Sequence, residues 1–251
     1  MAGLVYRTGF IFTILGNMVY IVVSYFLWRS IYQNLTTIHG LTFNDTFIYV
    51  ALGSAIFILL KTYADWGIGY EIREGMIAVY LTKPVDYEFY SLFSSLGGML
   101  TNLAAISFPT IVLLIMVFRV SFSIGPGLFL FPFSLLIAFL ISFFFDYMIG
   151  IMAFYTESIW GLSITKEIII SVLSGVLIPL QYYPLAIQKI LFVLPFQAIY
   201  YSPLMMITRP NQGWETLLSM LFVQLLWAVI LFTLSRVLYH QAVKVLRISG
   251  G

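Results

Sequence analysis

Asp146 is the carboxylate set well inside an apolar run, directly after Phe143-Phe144-Phe145. An ionised side chain in hydrocarbon costs at least about 2.5 kcal/mol unless it is paired or wetted. Two chemistries suit such a residue. It could take up a proton or cation and couple that step to movement of a solute, or it could anchor its helix through an ion pair. The anchoring reading is favoured, with Arg7 or Lys166 as partner, because Asp146 lies some 28 Å from Leu128 at about 1.5 Å per residue, close to the end of its span.

Other chemistry is excluded by what the chain lacks. There is no Gly-Lys pair to build a phosphate-cradling P-loop. The absence of cysteine removes thiolate metal sites and disulfides, and the two histidines, His39 and His240, fall on opposite sides of the predicted spans. Neither His-Glu-x-x-His nor Gly-x-Ser-x-Gly occurs, so proteolysis and acyl transfer have no visible metal or nucleophile. The Asn-x-Thr sequons at Asn34 and Asn44 are short matches that carry little weight.

The most charged stretch is the link from Asp65 to Glu88, where Glu71, Arg73, Glu74, Lys83 and Asp86 stand among Gly67, Gly69, Gly75 and Pro84. A link that only connects would be polar throughout. Here Tyr70 to Glu74 is compatible with a helix, and Ile77, Ala78, Tyr80 and Leu81 form an apolar run that an idle loop does not need. An amphipathic element at the membrane face, offering charges to a partner, accounts for both.

The elements that must position these residues are membrane helices. With 61% hydrophobic and 9% charged residues and a mean hydropathy of +1.01, the chain has no polar surface for water. About 20 mostly apolar residues are needed to cross a bilayer, and the runs 9–28, 47–66, 90–118, 128–154, 164–180 and 217–234 are read as spans. The first is too long for a signal peptide and lacks a cleavage site. The third and fourth exceed the minimum, so tilt, a kink at Pro109 or extension into the cytoplasm is expected. The stretch 184–206, broken by Pro195 and Pro203, is read as re-entrant, dipping into the outer leaflet. Arg236, His240, Lys244 and Arg247 place the C-terminus in the cytoplasm, and Arg7 places the N-terminus there too. Aromatic residues such as Trp28, Trp66, Trp160 and Trp214 mark the interfaces. The fold class expected is therefore all-α and polytopic, a single domain over 1–251.

Taken together, Glu71-Ile-Arg-Glu-Gly75 with Tyr80-Leu-Thr-Lys-Pro84, then Ala153-Phe-Tyr-Thr-Glu157, Ser174 to Leu180, Tyr183-Pro184, Leu194-Pro-Phe196 and Tyr201-Ser-Pro203 resemble one family in order and spacing. The chain is similar over essentially its whole length to type-2 ATP-binding-cassette exporter permeases, in particular the short six-span bacterial subfamily that includes drug and viologen exporters. That resemblance implies a bacterial plasma-membrane subunit that pairs with a second permease, identical or related, and docks on two separate ATPase subunits. ATP and Mg²⁺ would then bind the partner, with no cofactor in this chain and no role for nucleic acid. It implies a coupling role for Tyr70, Glu71, Arg73 and Glu74 in the link. It also implies an outer re-entrant or gate role for Pro179, Tyr183, Pro184, Pro195 and Phe196.

Ser94 and Gly98, and Ser171 and Gly175, are small residues four apart that let helices approach closely. By the family's architecture, Tyr49, Gly53 and Phe57 on span two and Ser171, Ser174 and Gly175 on span five are expected to line a path or a subunit seam. Asn17 in span one is read as an interhelical hydrogen-bonding residue. Two rivals stand against the exporter. One is a secondary transporter or channel that uses Asp146 for ion coupling, for which an array of charges would be expected. The other is an integral-membrane enzyme or assembly factor, which would need a nucleophile, metal cluster or soluble domain.

Overall fold

The computed structural model describes residues 7–120 and 124–244. Arg247, one of the basic residues used to orient the chain, and the side chain of Arg7 lie outside what is described. The described chain forms α1 (Arg7–Ile31), α2 (Phe43–Leu60), α3 (Ala64–Arg73), α4 (Ile77–Leu81), α5 (Tyr87–Asn102), α6 (Phe108–Phe118), α7 (Pro126–Ile151), α8 (Trp160–Leu173), α9 (Leu185–Val193), α10 (Tyr201–Thr208) and α11 (Trp214–Val243). No strand is present among the described residues.

Close contacts define two ends of the bundle. At the link end Gly150 meets Ile68 and Asp65, Gly69 meets Ile159, and Arg236 pairs with Asp86. At the far end Tyr32 and Tyr182 share a hydroxyl hydrogen bond of 2.6 Å, Arg209 donates to the Gly40 carbonyl at 3.1 Å, and the Gly127 N–H donates to Pro210 at 2.9 Å. Between these ends the chain passes through α1, α2, α5 with α6, α7, residues 160–182, and α11. Both limits of the described chain, Arg7 and Lys244, accordingly fall at the link end.

Among the described residues five helical stretches are long and apolar enough to cross a membrane: Thr8–Ile31, Phe43–Arg73, Tyr87–Phe118, Pro126–Phe154 and Trp214–Val243. At the centre of the core is α2, apolar after its first turn and buried on most of its turns, as a helix without a polar face must be. Its start carries a capping box in which Thr42 and Asp45 satisfy each other's backbone N–H groups. By contrast α1 leaves Phe12, Val19 and Phe26 exposed, which suits a helix against lipid. The irregularity expected at Pro109 is a π-helical turn over Leu103–Ser107 that joins α5 to α6. Proline cannot donate to the helical ladder and crowds the carbonyl four residues back, and the wider turn relieves both.

One expectation needs correction. The fifth run, 164–180, is helical only to Leu173, so α8 is about 21 Å long and cannot cross 30 Å of hydrocarbon alone. The break is imposed by packing: Gly175 adopts φ +83 where a Cβ would meet Leu180 at 2.9 Å and the Tyr49 hydroxyl at 3.3 Å. Turns from Ser174 to Pro179 and a 3-10 turn over Leu180–Tyr182 carry the chain on to the far end. The segment expected to be re-entrant reaches from the far end well along α7 toward the link end. Its tip stacks Phe196 on Phe145 at 5.6 Å and brings Tyr200 within 5.8 Å of Phe57, and Phe145 is about 28 Å from the start of α7. Non-helical backbone at such depth needs partners. Gln224 supplies them, donating to the Ala198 carbonyl at 2.8 Å while Ser134 donates to its side-chain oxygen at 2.8 Å; Trp227 donates to Val193 at 3.2 Å.

Candidate functional site

The link is two helices rather than one. Lys61 to Tyr63 turns the chain out of α2 through Tyr63 at φ +53, and α3 then lies across the end of α7. Glycine makes this contact: a Cβ on Gly150 would sit 2.8 Å from the Ile68 Cβ. α3 stops at Gly75, φ +71, the left-handed residue that closes many helices. In α4 Ile77 is fully buried, which explains the apolar run read in the sequence.

Of the four residues assigned to coupling, three face outward and one does not. Tyr70, Arg73 and Glu74 are exposed, beside exposed Trp66, Met76 and Val79. Glu71 is turned back into the protein, where it accepts a hydrogen bond of 2.6 Å from the Tyr87 hydroxyl at the start of α5. Its place is that of an anchor for the link. Arg73 folds its Nε onto the Gly69 carbonyl at 3.2 Å and so also stiffens the end of α3.

Beneath α3 lies a network of buried charge. Lys166 on α8 donates to Asp65 on α3 at 2.8 Å and pairs with Asp146 on α7, to which Thr62 also donates. The side chains of Asp65, Asp146 and Lys166 are 3%, 9% and 13% exposed, so each charge depends on the others for solvation. Lys61 pairs with Glu167 beside them. Lys166, one of the two partners expected for Asp146, is the one found. The sequence reading missed Asp65 as a member and missed the Lys61–Glu167 pair; adjacent Lys166 and Glu167 in an otherwise apolar run were the signal.

The residues expected along a path or seam divide. Tyr49, Gly53, Ser174 and Gly175 are buried within this chain: the Tyr49 hydroxyl donates to the Gly175 carbonyl at 3.0 Å, and a Cβ on Gly53 would sit a tight 3.2 Å from the Val176 carbonyl. They lock α2 to the chain that follows α8. Phe57 and Ser171 instead border an open cleft between α1, α2 and that stretch. The residues expected at the outer gate are likewise spread over the segment. Tyr183 folds back to donate to the Val172 carbonyl at 2.8 Å, Pro179 is buried, and Pro184 begins α9 at the far end. Pro195 and Phe196 form the deep tip.

A family model described as ABC-2 family transporter protein matches residues 18–250. No curated protein matches the chain.

Proposed function

The chain belongs to the ABC-2 family of transporter proteins, and from that membership we propose that it is the permease of an ATP-driven exporter whose ATPase is a separate subunit. It is a multi-pass membrane protein of an ABC transporter. In our reading the link end is cytoplasmic, the exposed side of α3 and α4 seats in an ATPase, and a second permease completes the path, with two ATPases per complex in a bacterial plasma membrane. Cargo leaves the cytoplasm through the paired permeases.

The observation that carries this reading is the link's construction: an outward face of Trp66, Tyr70 and Arg73 on α3, continued by Glu74 and Met76 in the turn to α4, while the inner face of α3 is tied by Asp65 and Lys166 to α7 and α8. Force applied to such a helix reaches two membrane helices without passing through a flexible loop. ATP acts by favouring one arrangement of the bundle over another, since a ligand indifferent to both shifts neither. Pairing of Asp146 with Lys166 supports the anchoring role over ion coupling.

The test is co-expression with an ABC ATPase encoded beside the chain, purification in mild detergent, and measurement of ATP hydrolysis by the reconstituted complex. Co-purification and an ATPase rate changed by the permease are expected. Vectorial movement of a solute by the chain alone in vesicles would overturn the reading.

A further inference from the structure

A groove of about 780 Å³ runs beside the last turns of α1 at the far end, bordered by Tyr25, Phe26, Arg29, Ser30, Gln33 and Phe43 among others. Arg29 is exposed there and takes part in none of the ion pairs among the described residues. The carboxylate nearest to it in sequence, Asp45, is taken up with Thr42 in capping α2. The guanidinium instead lies over the Tyr25 ring, 5.9 Å from its centroid, which holds it against the wall of the groove. The exposed Ser30 hydroxyl and Gln33 amide stand beside it.

Arg29 lies about 33 Å along α1 from Arg7, just past the roughly 30 Å of hydrocarbon that a span crosses, which is the level of the lipid phosphates. Below it Val19, Val22 and Phe26 are exposed and spaced three and four apart, so they form one apolar stripe that leads up to Arg29 and Gln33. A cation at this end runs against the positive-inside bias in our reading, where the link end is cytoplasmic. Its fork of N–H donors matches the two free oxygens of a phosphodiester. We infer that the groove is a binding site for an anionic phospholipid of the far leaflet, with its phosphate on Arg29, its polar headgroup at Ser30 and Gln33, and an acyl chain along Phe26, Val22 and Val19. Net negative charge is favoured because Arg29 has no carboxylate of its own, whereas phosphatidylcholine brings a competing ammonium. This lipid is a resident of the protein and not its cargo. The inference uses the exporter reading only for the side of the membrane and stands if no ATPase partner is found.

The probe is phosphatidylglycerol, titrated against the full chain in detergent and counted by native mass spectrometry, with phosphatidylcholine for comparison. One phosphatidylglycerol bound in preference to phosphatidylcholine is expected. Arg29→Met changes an exposed side chain and should weaken that site about ten-fold or more. Arg29→Lys, a point charge without the fork, should fall between the two. Lys189→Gln removes an exposed cation on α9 and should leave the site unchanged. In nanodiscs, phosphatidylglycerol carrying a diazirine in one acyl chain should label Val19, Val22 or Phe26, and Arg29→Met should lose that labelling. Equal binding of phosphatidylglycerol by the wild type and Arg29→Met would overturn the proposal. So would adducts spread evenly over the exposed faces of all the spans, release of the lipid by soluble glycerol 3-phosphate, or a second copy's carboxylate found on Arg29 in place of lipid.

Discussion

Lys166 of α8 donates to Asp65 of the link at 2.8 Å and in the same position neutralises Asp146 of α7. One ammonium thus joins the element that meets the ATPase in our reading to two helices of the bundle. Replacing it leaves two carboxylates facing each other with little solvent, and breaking a buried pair in this way costs about 3–5 kcal/mol. Lys166→Met is therefore expected to lower the thermal unfolding temperature of the purified chain sharply. Adding Asp65→Asn and Asp146→Asn to it should recover most of the loss. A Lys166→Met protein as stable as the wild type would show that the network is dispensable for the fold.

The division of labour in the link gives a second contrast. Tyr70→Ala and Glu74→Lys alter exposed side chains, so stability should change by no more than about 0.5 kcal/mol, while association with the ATPase falls. Glu71→Ala removes the acceptor of the Tyr87 hydroxyl and should act in the opposite sense, lowering stability by about 1–3 kcal/mol. Glu71→Gln, which keeps an acceptor, should restore it. Parallel melting curves and co-purification yields separate the two classes, and identical behaviour of Tyr70→Ala and Glu71→Ala would refute the distinction.

Gln224 supports the tip of the re-entrant segment through the Ala198 carbonyl and ties it to Ser134 on α7. Gln224→Leu deprives buried carbonyls of their donor and is expected to cost about 1–3 kcal/mol. The loss should be local: cysteines introduced at Leu194 and Phe196 should react with a thiol reagent faster in Gln224→Leu than in a Gln224 background. The natural chain has no cysteine, so the reading is unambiguous, and unchanged rates would remove Gln224 from this role.

Asp86 caps α5 through the N–H groups of Glu88 and Phe89 and receives Arg236 from the end of α11. Partial burial works to raise the Asp86 carboxyl, but the hydrogen bond and charge of Arg236 with the cap N–H groups hold it below its ordinary value. A carboxyl lowered in the folded state stabilises above its unfolded pKa and loses that contribution as pH falls through the folded value. The melting temperature should fall as acid is added below about pH 4, and Asp86→Asn should flatten that slope while leaving the wild type more stable near neutrality. A slope unchanged by the substitution would assign the acid sensitivity elsewhere.

Composition and the length of apolar runs were enough to identify a helical membrane protein and to locate α1, α2, α5 with α6, α7 and α11, because hydrocarbon imposes a minimum length that any one stretch reveals by itself. The basic tail and the charged link were equally legible, as was the need of Asp146, a carboxylate inside an apolar run, for a partner. What the tertiary structure alone decided depends on distant segments meeting. Lys166 chose two carboxylates, both earlier in the chain and 101 and 20 residues away. Glu71 turned inward because Tyr87 lies there, and α8 ended at Leu173 because Gly175 is pressed against Tyr49 and Leu180. The re-entrant tip could go deep only because Gln224, far along the chain, had a donor to spare. Hydrophobic length is a local property and was readable in one dimension; ion pairs, close glycine contacts and satisfied carbonyls are set by proximity in three.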